Sequence, residues 1–100
     1  MMDGNRGEVA ELAAMLFDLG PKMISEIDKN ITTENWKKAA DVAHKLKSSL
    51  KLWGMTDLIA LAVFIETNGK IANETDEIVI QFVSLKSKFL EAIEEMKEEF

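Results

Sequence analysis

Apolar residues recur every three or four positions along nearly the whole chain, the spacing of one face of an α-helix. Val9, Leu12, Ala13 and Leu16 mark a first helix over about residues 7–18. Gly20-Pro21 interrupts it, and proline suits the first turn of a new helix. Met23, Ile24, Ile27 and Ile31 give the next stripe, to about residue 31. Thr32 or Thr33 is placed to cap a third helix, because a hydroxyl there can accept a bond from a free N–H of the first turn. The stripe of that helix is Trp36, Ala39, Ala43, Leu46, Leu50 and Trp53, and it stops near Gly54, a residue able to take the left-handed conformation that ends helices. A fourth segment starts at Thr56, turns Leu58, Leu61, Ala62 and Ile65 inward, and ends near Asn68-Gly69 or a few residues later. Thr75 caps the last helix, with Asp76 and Glu77 favourable in its first turn and Ile78, Phe82, Leu85, Phe89, Ile93 and Met96 as its stripe. The Ile78-Val79-Ile80 run lies inside that stripe, so no strand is expected.

Amphipathic helices joined by short turns pack as antiparallel bundles. The turn at Gly54-Met55 is so short that the helices on either side must form a hairpin, with the last helix alongside. The expected fold is all-α: an antiparallel four-helix bundle with an additional N-terminal helix, either a lid or a bent extension of the next. Residues 1–100 are read as a single domain with its core at about 7–97, since this length leaves little room for a second.

Composition agrees and removes several function classes. Leu, Ala, Glu, Lys, Met and Ile dominate, residues that lose little on entering a helix. A net charge of −6 argues against a main role on nucleic-acid backbones. Without cysteine there is no disulfide, thiol catalysis or thiolate metal site. No apolar run approaches the ~18 residues of a membrane span. Met1-Met2-Asp3-Gly4-Asn5-Arg6 lacks the basic-then-apolar pattern of a signal peptide. A cytoplasmic monomer is the expectation.

The single histidine, His44, sits in the middle of the third stripe. The inward line passes through Ala43, and each residue turns about 100°, so His44 points outward on a face shared with Ala40, Lys47, Ser48 and Lys51. From Glu34 to Gly54, five lysines (Lys37, Lys38, Lys45, Lys47, Lys51) stand against Glu34 and Asp41, a net +3, which leaves −9 on the rest of the chain. Positive charge is thus concentrated on the histidine helix, where it favours a phosphoryl group or an acidic partner surface. A lone histidine on an exposed helical face is by itself most often a plain surface residue. Composition and spacing alone do not reach a chemistry.

The run Ala43-His44-Lys45-Leu46-Lys47-Ser48-Ser49-Leu50-Lys51-Leu52-Trp53-Gly54-Met55 resembles the signature of the histidine-containing phosphotransfer (HPt) domain family, roughly A-H-x-L-K-G-S-S, three variable residues, then G-A/M/L. The resemblance continues through Leu58, Leu61 and the Ile65-Glu66 pair, and upstream through Trp36 and Ala39-Ala40. It is specific over about residues 34–66. It implies that His44 is the phosphoacceptor, that Lys47 steadies the phosphoryl oxygens, and that Gly54 closes the helix hairpin. It also implies a partner, the receiver domain of a response regulator or a hybrid sensor histidine kinase, which would hold the Mg²⁺ and the aspartyl phosphate, so that no cofactor is expected on this chain. Ser48 departs from the family's glycine and changes how closely a partner can approach.

Phosphoryl transfer relies mainly on positioning and charge neutralisation, so a rigid rod carrying an imidazole and an ammonium group suffices on this side. A docking patch is expected around His44, with Ala40 beneath it, Ser48 and Lys51 beside it, and Met55, Ile59 and Val63 contributed by the adjoining helix. Two other functions compete. A non-catalytic helical adaptor would share this fold and composition. A metal-bearing bundle is suggested by the i, i+3 spacing of Asp41 and His44, but such sites need two such motifs and further inward glutamates. The glycines, at positions 4, 7, 20, 54 and 69, form no nucleotide-binding loop, so kinase activity is not expected.

Overall fold

In the computed structural model, which describes residues 2–99 and the side chains of 7–99, four helices follow one another: α1 (Met2–Thr32), α2 (Trp36–Leu52), α3 (Thr56–Gly69) and α4 (Thr75–Glu99). The reading of Met1–Arg6 as lacking a signal lies outside the described side chains. No strand occurs among the described residues, and Ile78-Val79-Ile80 is helical. The molecule is about 47 Å long and 20 Å across. Its length is that of α1, whose 31 residues rise about 1.5 Å each.

The separate N-terminal helix expected over residues 7–18 does not exist, because α1 runs unbroken through Gly20-Pro21. The buried line Ala13, Leu16, Gly20, Ile24, Ile27 and Ile31 keeps its phase across the proline. Packing of both halves on one bundle thus outweighs the single backbone bond that Pro21 cannot make. Gly20 serves this packing rather than a turn: a Cβ there would stand 2.4 Å from Cζ of Phe89 on α4, a ring that is itself fully buried.

Two expected caps are also corrected. Thr33 ends α1 instead of starting α2: its hydroxyl donates back to the Lys29 carbonyl at 2.9 Å. The chain then turns through Glu34 at φ 59°, and α2 begins after Asn35, whose side chain makes no capping bond. Thr75 is the first residue of α4 and not its cap, since the Ile78 N–H donates to the Glu74 carbonyl.

The end of α2 follows from Gly54. It takes φ 66°, the Gly54 N–H donates to the Lys51 carbonyl, and the Met55 N–H donates to the Leu50 carbonyl. This pair of bonds closes a helix around a left-handed glycine and turns the chain directly into α3. The core is filled by Leu46 and Leu50 of α2, Ile65 of α3, Ile27 of α1, and Ile78, Leu85 and Phe89 of α4, each essentially without solvent contact.

Candidate functional site

Small residues bring α2 and α3 close together at one end of their hairpin. A Cβ on Gly69 would lie 2.8 Å from the Trp36 carbonyl oxygen and 3.0 Å from Cβ of Ala40. One turn further along α2 stands His44, and one turn back along α3 stands Glu66. The close approach at Gly69 therefore sets the imidazole and the carboxylate side by side.

Glu66 is 6% exposed and is the one charged residue buried among the described residues. Its carboxylate is bonded at both oxygens. His44 Nδ1 lies 2.6 Å from Oε2, and Lys47 Nζ donates to Oε1 at 2.7 Å. Lys70 approaches Oε2 at 3.5 Å. The Lys47 bond holds the Glu66 carboxyl well below the usual carboxylate range, at about 2; burial pushes the other way, and the His44 bond lowers it further. Glu66 is thus ionised at neutral pH and can only accept. The proton of the 2.6 Å contact must sit on His44 Nδ1. A neutral ring then carries its lone pair on Nε2, the nitrogen away from Glu66.

The His44 side chain is 59% exposed, against 17% for Lys47 and 8% for Glu66. The arrangement is a half-buried ionic base with a free imidazole edge above it. Such an edge can act as a nucleophile, and the carboxylate behind it can stabilise the positive charge that the ring gains on attack.

The Hpt domain family model matches residues 11–99. The chain belongs to the Hpt domain family. No curated protein and no solved structure was found to match it. Hpt domains are phosphocarriers that transfer phosphoryl groups through histidine in phosphorelay signalling, and they work with receiver and kinase domains.

In this Hpt domain the other residues singled out in the sequence fall in several places. Ser48 is exposed, and its hydroxyl donates to the His44 carbonyl at 3.4 Å, so it is turned onto the helix backbone. Lys51 is exposed on α2. On α3, Val63 is 39% exposed, while Ile59, and Met55 in the turn just before the helix, are half-buried and pack against the core. Ala40 cannot belong to a contact surface: it is fully buried, because α3 packs on that side of α2 with Gly69 opposite. The spacing alone assigns Glu66 no role, only a place in the Ile65-Glu66 pair. Its signal was an acid adjoining the inward line Leu58, Ala62 and Ile65, where a carboxylate needs partners. Lys70, just past the end of α3, carries no signal in the spacing. Among the described residues, no group of three or more His, Cys, Asp or Glu could hold a metal ion, and no helix is long and apolar enough to cross a membrane.

Proposed function

We propose that this Hpt domain is a phosphorelay intermediate whose His44 exchanges a phosphoryl group with the aspartate of a response-regulator receiver domain. The observation that carries this is the fixed tautomer: Glu66, kept ionised by Lys47, accepts the hydrogen bond from Nδ1–H and leaves Nε2 as the outward nucleophile. In the accepting direction, Nε2 attacks phosphorus of the aspartyl phosphate. The N–P bond forms as the P–O bond breaks, and the carboxylate leaves with the electron pair. The ring keeps its Nδ1 proton and becomes cationic, facing the anionic Glu66. Transfer onward is the reverse.

Lys47, bonded to Glu66 Oε1, keeps that carboxylate from protonating. Mg²⁺ and the acidic pocket are assigned to the receiver, with no cofactor on this chain and no kinase activity of its own. Val63 and Ile59 of α3 and Met55 just before it, with Ser48 and Lys51 of α2, form the docking surface in this reading. It places the domain in the cytoplasm as a monomer, with a hybrid sensor histidine kinase or a separate receiver as the source of phosphate. The test is incubation with phosphorylated receivers, followed by detection of acid-labile, base-stable phosphate. Label on the wild type and none on a folded His44→Gln variant supports the relay. Partner binding unchanged in that variant, with no label on the wild type, supports the non-catalytic adaptor.

A further inference from the structure

A cleft of about 310 Å³ opens between α2 and α3 in front of the imidazole, lined by Asp41, His44, Lys45, Glu66 and Lys70. Lys47 is not among its walls. Its amine is mostly buried and bonded to Glu66 Oε1 at 2.7 Å, on the inner side of the carboxylate. The cations that face the cleft are Lys45 and Lys70. Lys45 follows His44 directly and is turned about 100° from it around the helix. Lys70 approaches the same carboxylate oxygen that accepts the hydrogen bond from His44 Nδ1.

We propose, resting on the phosphotransfer reading of His44, that Lys70 is the cation that binds the phosphoryl oxygens on Nε2, while Lys47 serves as the anchor of Glu66. Lys70 is free to do so. Its side chain is 58% exposed, and its contact with Oε2 is long, at 3.5 Å, because His44 already occupies that oxygen at 2.6 Å. An exposed pair of this kind is worth little, so the amine leaves it readily. Phosphorylation changes the balance. The ring gains positive charge and tightens on Oε2, while a group bearing about two negative charges arrives on the cleft side. Lys70 then finds a stronger partner than the oxygen it shares. Asp41, on the cleft wall, repels the phosphoryl group and makes a neighbouring cation more necessary.

The test uses phosphoramidate, a donor that needs no receiver. Its P–N bond breaks as the N–P bond to His44 Nε2 forms, and the protonated nitrogen leaves as ammonia with the electron pair. Phosphohistidine formation is followed by ³¹P NMR on the wild type, Lys70→Ala, Lys70→Arg and, as a charge control remote on α4, Lys86→Ala. Lys70→Ala is expected to slow formation about tenfold, the weight of one charge-assisted bond, with Lys70→Arg restoring most of it and Lys86→Ala matching the wild type. In the wild type, the ¹³Cε signal of Lys70 is expected to shift on phosphorylation, a response that a merely structural lysine would not give. Equal rates for wild type and Lys70→Ala, or an unmoved Lys70 signal, overturn the assignment and leave His44 as phosphoacceptor. A wild type that forms no phosphohistidine removes both.

Discussion

Replacing Glu66 with glutamine keeps the volume of the side chain and removes its charge. The Lys47 ammonium, 17% exposed, then loses its counter-ion, and His44 Nδ1 faces a neutral amide. The size of the effect follows from the carboxyl group, which is lowered from 4.5 to about 2 in the folded chain. At about 1.36 kcal/mol per unit this corresponds to ~3 kcal/mol of stability. Glu66 itself is screened little at 6% exposure, whereas His44 at 59% brings water to one side, so about 2–3 kcal/mol is expected. Because the folded value is the lower one, this stability is fully present above about pH 4.5 and is lost as pH falls through about 2. Urea denaturation of wild type and Glu66→Gln at pH 7 and pH 3 reads it out. The difference between them is expected to be about 2–3 kcal/mol at pH 7 and to shrink to roughly 1 kcal/mol at pH 3. A difference that is absent at pH 7, or equal at the two pH values, would refute the buried ionic base on which His44 rests.

Gly69→Ala places a methyl group 2.8 Å from the Trp36 carbonyl, a backbone atom that cannot move aside alone. It should destabilise the domain by about 1–3 kcal/mol in urea and loosen the His44–Glu66 contact, seen as a change in the imidazole NMR signals. Gly54→Ala meets no atom within 4 Å, so only the left-handed backbone at φ 66° counts. The expected loss is about 1 kcal/mol, or a drop in Tm of roughly 4–8 °C by calorimetry. Val63→Asp puts a charge on the exposed part of α3 beside the site and should weaken receiver binding about tenfold by titration, with the circular dichroism spectrum retained.

The helix order and most of the core were legible because one physical signal, apolar spacing, governs both. The stripe from Ile78 to Ile93 in α4 is buried as the spacing requires. Gly20-Pro21 misled because a glycine has no apolar side chain to show that it lies on the buried line; its partner Phe89 is 69 residues away in sequence. Thr33 misled because a hydroxyl serves either end of a helix, and the choice depends on which backbone group is free; Thr75 misled by one position, because the residue that precedes α4, Glu74, is not of the hydroxyl type that marks a cap. His44 was legible as exposed from its phase against Ala43. Ala40 was not legible as buried, since one helix cannot show on which side a second one packs. Glu66 and Lys70 lie 22 and 26 positions beyond His44, and only the α2–α3 hairpin joins them to it.

Mass spectrometry of the chain after incubation with a phosphorylated receiver, run under basic conditions that preserve phosphohistidine, bears most directly on the role of His44. One phosphoryl group on His44, attached at Nε2, with none on a folded His44→Gln variant, is the expected result. Phosphate on another residue, or a wild-type chain that stays unmodified with donors that label other Hpt domains, would contradict it.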